Sequence, residues 1–415
     1  MKLRNRFLLI GIGVLTFCVV TPILILYARG YKFDYSSKRL LKTGSLVIKT
    51  EPAKAAVVLN GKPVSKSETP ATLRFLLPGD YDVTVKKDGY QAWTKRLTIK
   101  SQLVTWANQD RETVTLFYDS PKEAFSDNAD YATGSRPENN VLFIKQGQLY
   151  SISPDQSNPT EVAKFSDLAP FNPTVSLAPD NIYQLVKNRG NLKLTADQLN
   201  QLGRIESNGG YTALTLSGNL YFQPNGGSLA QVAAGVDAFT LSGNELWYLQ
   251  KGSLIRLNLK LNISETIKPS VPQSSDSRII RTSNYVFLII DRSLYSINGE
   301  VAKIYDGVDY AEWDGAAQKL VFGNGNEVSI YDPLKLSTDL ILRSSSTIED
   351  PIVNDRTGYL FFYNENKIKA IELDGRDHRN IYTIASAPHV RFLVNDAGTN
   401  LLTYTDSQIR IYEIR

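Results

Sequence analysis

Leu214–Leu229 reads LTLSGNLYFQPNGGSL, and Phe239–Leu254 reads FTLSGNELWYLQKGSL. Both begin in apolar-polar alternation, turn through Ser-Gly-Asn, continue in an aromatic strand and close on Gly-Ser-Leu. Period-two alternation marks a half-buried strand, and the Gly- and Asn-bearing turns supply the positive φ that tight hairpins require. The two stretches are therefore read as copies of one repeat. The same unit recurs as VLFIKQGQLYSI from Val141, IYQLVKNRGNLKL from Ile182, YVFLIIDRSLYSI from Tyr285, KLVFGNGNEVSIY from Lys319, YLFFYNENKIKAI from Tyr359 and LLTYTDSQIRIY from Leu401. Most of these eight hairpins are separated by about 40 residues, the period of a four-stranded propeller blade. The interval from Leu220 to Leu246 is only 26 residues, which predicts that the unit there lacks a strand or merges with its neighbour.

Turn-rich segments precede several hairpins: SLAPDN at Ser176, VNDRTG at Val353 and VNDAGT at Val394. They resemble the Ser-Pro-Asp-Gly turns of bacterial propellers. A β-propeller of seven or eight blades over residues 113–415 is the expectation, with a β-solenoid disfavoured by the long period. The last repeat stops after its third strand, and an open apolar edge invites aggregation. The alternating run Glu112–Tyr118 is predicted to fill that place as a latch.

Upstream, the pattern changes twice. Phe7–Ala28 (FLLIGIGVLTFCVVTPILILYA) holds 22 residues without a charge. At about 1.5 Å per residue that covers a hydrocarbon core of about 30 Å, so one transmembrane helix is expected over 7–28, behind a basic tail at 1–6. The run is too long for a cleaved signal peptide, and Phe17 before Cys18 does not suit lipidation. Basic residues flank both ends, so charge asymmetry does not orient the span. The short basic tail feeding an apolar run has the layout of a signal anchor, which predicts a single-pass cell-membrane protein with an extracytoplasmic main body. Residues 29–43 read as a basic juxtamembrane linker and 101–112 as a second linker.

Between the linkers, Tyr81, Val83 and Val85 alternate with polar residues, as do Trp93, Leu97 and Ile99. Asn60-Gly61 suits a type I′ hairpin turn. These strands predict a small β-sandwich. The runs GSLVIKTEPAKAAVVLNGKPV and TPATLRFLLPGDYDVTVKKDGY resemble the PEGA domain family over residues 44–100. The resemblance rests on Gly44, Pro52, Ala55, Val57, Gly61, Thr69-Pro70, Leu77-Pro78-Gly79, Tyr81, Val83, Val85 and Gly89-Tyr90. The tetrad that names the family is degenerate here as Pro52-Ala53-Lys54-Ala55. The resemblance implies a PEGA-like β-sandwich domain serving as an extracytoplasmic accessory module, without catalytic residues. The whole chain is thus expected to be all-β apart from its amino-terminal transmembrane helix.

Composition narrows the chemistry. The 415 residues include one Cys, Cys18, and two His, His378 and His389, which excludes a disulfide framework and disfavours His- or Cys-rich metal sites. No P-loop, G-x-S-x-G, H-E-x-x-H or C-x-x-C motif is present. Gly323-Asn324-Gly325 reads as a hairpin turn, and Asp374-Gly375-Arg376-Asp377 lacks the spacing of a calcium loop. Trp93 and Trp247 read as core, and Trp313 as packing on an inner strand. The net charge of +4 divides into +7 for residues 1–43, +5 for 44–100 and −8 for the remainder. The basic base suits anionic lipid or an anionic wall polymer, and the acidic array argues against nucleic acid.

The expected function is therefore non-enzymatic: a membrane-anchored cell-surface protein whose propeller binds a protein, peptide or glycan, with the PEGA-like domain as stalk. No catalytic, metal, cofactor or ligand residues are assigned, and no cofactor is expected. The alternatives are a glycosidase-like propeller hydrolase acting on envelope polymers and an envelope-assembly or sensory scaffold. A converging group of carboxylates and Arg at the channel mouth favours the first of these.

Overall fold

The structure is a computed structural model and describes residues 3–35, 37–109, 111–136, 138–164, 179–188 and 191–415. Helix Leu3–Ala28 carries the apolar run, and its described side chains lie largely exposed, with Tyr27 near its end stacked on Phe75. After Gly30 a hairpin of Tyr31–Asp34 and Arg39–Lys42 occupies the segment expected to be only a linker.

The sandwich follows. In one sheet Gly44–Glu51 pairs antiparallel with Ala71–Leu76 and parallel with both Val104–Trp106 and Thr113–Thr115. The other runs in the order Lys62–Glu68, Ala56–Leu59, Gly79–Lys86, Trp93–Ile99. Leu46, Ile48, Val57, Val83, Val85, Trp93 and Leu97 close the core between them. Asn60 and Gly61 both take positive φ, 49° and 73°, as the type I′ turn requires.

Seven four-stranded sheets make up the carboxy-terminal part among the described residues. Six are formed by consecutive strands, spanning Tyr131–Lys164, Leu202–Ala233, Val236–Lys268, Ser277–Asp306, Tyr310–Arg343 and Glu349–Ser386. The seventh joins Arg391–Val394, Asn400–Tyr404 and Gln408–Glu413 to Lys122–Asn128 from the other end of the array. Second strands such as Val286–Ile290 and Tyr359–Asn364 are buried along their whole length, because neighbouring sheets cover both faces. Outer strands such as Ser337–Arg343 are largely exposed and correspondingly polar. Apolar clusters fill the gaps between successive sheets and close the ring, for example Phe287 and Ile289 against Leu320 and Phe322. At the joint made by the latch, Val141 and Phe143 meet Leu402 and Ile411.

Three expectations are corrected. The latch exists, but it is Lys122–Asn128 and not Glu112–Tyr118; Thr113–Thr115 belongs to the sandwich, as does Val104–Trp106 from the supposed linker. Alternation reveals a half-buried strand without naming the sheet that covers it. The true latch, KEAFSDN, is an outer strand with little apolar signal. Second, Ile182 begins no hairpin: Pro179–Lys187 is a helix, followed by the capped turn Ala196–Asn200. Ile182, Tyr183 and Val186 pack on Leu142 and Ile144 of the preceding sheet, whereas Leu192, Leu194 and Leu199 pack on the next. A helical wedge thus stands between two sheets. Pro179 followed by Asp180, with apolar residues at helical spacing, was the available signal. The turn read from Ser176 lies in part outside the described residues, and Pro179–Asn181 falls in this helix.

Third, the 26-residue interval reflects a phase shift rather than a missing strand. Asn219–Pro224 is the third strand of its sheet, whereas Glu245–Gln250 is the second strand of the next. LTLSGN therefore turns from second to third strand and FTLSGN from first to second. Like hairpins resemble one another wherever they stand in a blade.

Candidate functional site

The sandwich is seated on the sheet Glu349–Ser386, and the contact is polar and buried. Lys95, fully buried, places Nζ 2.9 Å from Glu372 Oε2 and donates to the Asp374 carbonyl at 2.8 Å. The Trp93 indole donates to Glu372 Oε1 at 3.0 Å. Arg376 pairs with Asp374 and donates to the carbonyls of Trp106 and Ala107. Two cations thus balance two carboxylates. Burial pushes the Asp374 carboxyl up, but the Arg376 bonds and the charges of Lys95 and Arg376 outweigh it, and its pKa is lowered. Thr115 Oγ1 donates to the Thr357 carbonyl, and Tyr382 Oη to that of Ala92. The segment Asp374–Asp377, read from sequence as a plain turn, is the docking loop.

Beside this contact a cavity of about 430 Å³ opens between the stalk and two sheets, Tyr310–Arg343 and Glu349–Ser386. A second, of about 330 Å³, shares Asp314, Ala316, Val321 and Val353 with it. Most acidic groups at the cleft are already paired: Asp355 with Arg111, Asp339 with Arg379, Asp332 with Lys335. Asp314 differs. It ends the innermost strand Tyr310–Asp314, and its Oδ1 accepts the amides of Ala316 and Ala317 at 2.9 and 3.0 Å. Its Oδ2 is buried with no hydrogen-bond partner among the described residues. Burial raises the Asp314 pKa and the Asp355 charge adds to the rise, against the two amides and Arg111.

Deeper in, Arg136 Nη1 lies 3.2 Å from Glu312 Oε2, and its other terminal nitrogen pairs with Asp350. Glu312 and Asp350 sit on the innermost strands of their sheets, and Arg136 directly follows a third, Tyr131–Ser135. The triad therefore ties three sheets together across the ring. Carboxylates and Arg do converge here. No group of His, Cys, Asp or Glu suited to a metal ion occurs among the described residues.

Neither His lies on the cleft. His378 is exposed with Nδ1 2.8 Å from Asp377 Oδ2, and the His389 amide donates to Tyr363 Oη. Trp313 lines the second cavity while stacking on Phe287 with ring centroids 5.9 Å apart, so its reading as packing agrees with the contact. Trp106 lies under Lys49 Nζ, 4.8 Å from the ring centroid. Gly323 leaves no room for a side chain, since a Cβ would stand 1.9 Å from the Glu327 carbonyl oxygen.

The sequence reading missed Asp314, Asp355 and Arg111, although a signal was present. Asp314, Asp355 and Asp396 follow Trp313, Asn354 and Asn395 at equal 41-residue steps, each at or just past the end of an innermost strand. All three line one opening. Two of these segments, VNDRTG and VNDAGT, are the turn-rich stretches that precede hairpins in the sequence. Aligning AEWDGA with them places an Asp at the same position in three successive blades.

The architecture defines a class: an apolar amino-terminal helix, a small β-sandwich and a propeller-like ring docked on it. Residues 43–113 match the family model of the PEGA domain, a span that takes in Val104–Trp106 and reaches Thr113. No curated protein matches the chain. Solved structures similar to it include PorZ, an essential bacterial surface component of the type-IX secretion system of Porphyromonas gingivalis, at 15% identity and a TM-score of 0.37, covering 69% of this chain and 38% of that one. The chain thus spans well under half of that protein. The Neurospora crassa Pan2 WD40 domain is similar at 9% identity and a TM-score of 0.42, over 74% of this chain and 98% of that domain. Kuenenia stuttgartiensis hydrazine synthase is similar at 13% identity and a TM-score of 0.35, over 52% and 76%.

Proposed function

We propose that the chain is a single-pass membrane protein with an extracytoplasmic body, whose propeller binds a peptide segment bearing a cationic side chain in the cleft beside the stalk. The observation that carries this reading is Asp314 Oδ2, a buried acceptor without a donor at the wall of a cavity of about 430 Å³. An unmet buried acceptor is costly, and a ligand N–H donor would meet that need. Apolar contact is offered at the rim, where Leu334 and Leu336 are 81% and 75% exposed on either side of Lys335, a cleft residue. The exposed apolar helix supports the anchor.

The test places a photocrosslinking amino acid at Ala316, within the cleft, in intact cells. One discrete protein adduct is expected, and it should disappear in the Asp314→Asn background. The same probe at Lys251, on a hairpin turn of another sheet, serves as control; an adduct pattern identical to that control would remove the cleft as the binding site.

Asp314→Asn also carries a stability signature. Asn keeps an oxygen for the Ala316 and Ala317 amides. Because folding raises the carboxyl pKa, Asp314 contributes its full stability below the ordinary carboxylate range and loses it as pH rises through the elevated value. The variant should therefore melt above the parent at pH about 7 and converge with it below pH about 4. A melting difference independent of pH would contradict this account.

A second reading has one observation behind it: a carboxyl with raised pKa, Asp314, and a second carboxylate held by Arg111, Asp355, share the cleft. That is the charge division of a glycosidase-like hydrolase. Release of reducing ends from envelope polymers by the parent, abolished in Asp314→Asn, would establish it over simple binding.

A further inference from the structure

The chain that leaves the apolar helix is neither a simple linker nor part of the stalk core. The helix ends at Ala28, Gly30 turns at φ 80°, and Tyr31–Asp34 pairs with Arg39–Lys42. This hairpin is fastened at its root. The Thr43 amide and hydroxyl both donate to the Gly30 carbonyl at 2.8 Å, and Lys42 Nζ donates to Gln102 Oε1 at 3.0 Å. The helix end is held too, as Tyr27 stacks on Phe75 with centroids 5.0 Å apart and Lys32 Nζ reaches the Phe75 carbonyl. The position of the hairpin beside the helix exit is thereby fixed by the fold.

Its composition is unlike that of a solvated turn. Phe33 faces Leu40 across the pair, each 44% exposed, and Tyr35, 86% exposed, meets Phe33 edge-on at 5.2 Å. Leu103, on the neighbouring stalk loop, is 55% exposed. The segment 29–42 carries Arg29, Lys32, Lys38, Arg39 and Lys42 against a single acidic residue, Asp34. Aromatic and aliphatic side chains at the end of a spanning helix, set among cations, match the boundary between acyl chains and anionic headgroups.

We propose that the hairpin Tyr31–Lys42 is a lipid-binding collar: Phe33, Tyr35 and Leu40 enter the headgroup layer of an anionic phospholipid bilayer, and the cations bind lipid phosphates. The occupant follows from continuity, since only Arg29 and Gly30 separate the hairpin from a helix suited to span that bilayer, and from charge. The collar would hold the stalk, and with it the cleft, at a fixed height. The proposal rests on the membrane reading of the helix, and the test separates the two.

Full-length protein in nanodiscs is labelled with an environment-sensitive fluorophore, either at the native Cys18 in the helix or at Phe33→Cys in a Cys18→Ser background. Brominated lipids serve as quencher. The Cys18 label should be quenched in any lipid. The position-33 label should be quenched about twofold or more in discs containing phosphatidylglycerol and much less in phosphatidylcholine, with the difference lost at high salt. Lys32→Gln/Lys38→Gln/Arg39→Gln should abolish that difference, since each charge near an anionic surface is worth roughly fivefold in binding. Quenching of Cys18 without quenching at position 33 overturns the collar and leaves the anchor standing. An unquenched Cys18 overturns both. An equal response of the position-33 label in both lipids, or the same response to soluble polyphosphate without lipid, also overturns the proposal. Unchanged protease resistance of residues 113–415 in each variant shows that the fold is retained.

Discussion

Replacing Lys95 by Met should destabilise the protein by about 3–5 kcal/mol, the cost of stranding a buried charge. Lys95 is fully buried, and Glu372, its partner at 2.9 Å, is 1% exposed. Met fills much the same volume, so the loss is chiefly that of the ammonium. It leaves Glu372 with only the neutral donors of Trp93 and Asn380 and shifts the local balance to two carboxylates against Arg376. Lys95→Met/Glu372→Gln should recover most of the loss, because Gln keeps an acceptor for the Trp93 indole without the charge. Denaturant titration followed by tryptophan fluorescence reads both effects, with Trp93 at the contact. A loss under about 1 kcal/mol, the range of an exposed pair, would show that the stalk does not dock as described. The stalk is set on one sheet of the propeller by a desolvated network, and that docking brings Arg111 to the cleft that Asp314 lines.

Deleting Gln408–Arg415 should abolish cooperative folding of the ring. The deletion removes three buried isoleucines, Ile409, Ile411 and Ile414, and strips Lys122–Asn128 of its pairing partner. At about 1.5–3 kcal/mol for each buried aliphatic side chain, the loss approaches the whole stability of a typical domain, about 5–15 kcal/mol. It also frees two strand edges, so association is expected alongside unfolding. Limited proteolysis and thermal melting would show it. A truncated chain that melts at the parental midpoint would mean that closure contributes little. Val114→Ala provides the contrast, since Val114 lies in the sandwich core and should weaken the stalk while leaving the ring latched.

Both predictions depend on contacts between segments about 280 residues apart in the chain, and such contacts are where sequence reading stopped. What could be read was local. The repeats at Leu214 and Phe239 announced hairpins because their alternation and turn residues lie within sixteen positions. The Asn60-Gly61 turn was legible for the same reason, and the apolar run Phe7–Ala28 was legible from length alone. The latch was not, because KEAFSDN carries almost no apolar signal as an outer strand. The wedge Pro179–Lys187 is ambiguous in sequence, because Ile182, Tyr183, Leu185 and Val186 suit a short buried strand as well as one face of a helix.

The candidate site divides in the same way. Asp314, Asp355 and Asp396 share a period in the chain, so their arrangement around one opening was available to an alignment of the repeats. That Asp314 Oδ2 lacks a donor was not, because it depends on which neighbouring carboxylates Arg111, Lys335 and Arg379 neutralise. By itself the sequence determined the apolar helix, the sandwich and a ring of four-stranded units, since each follows from composition, periodicity and turn chemistry over short stretches. Only the tertiary structure decided which strand closes the ring, how the stalk is held and which carboxylate oxygen is left without a donor, because burial and pairing are properties of surfaces brought together from distant parts of the chain.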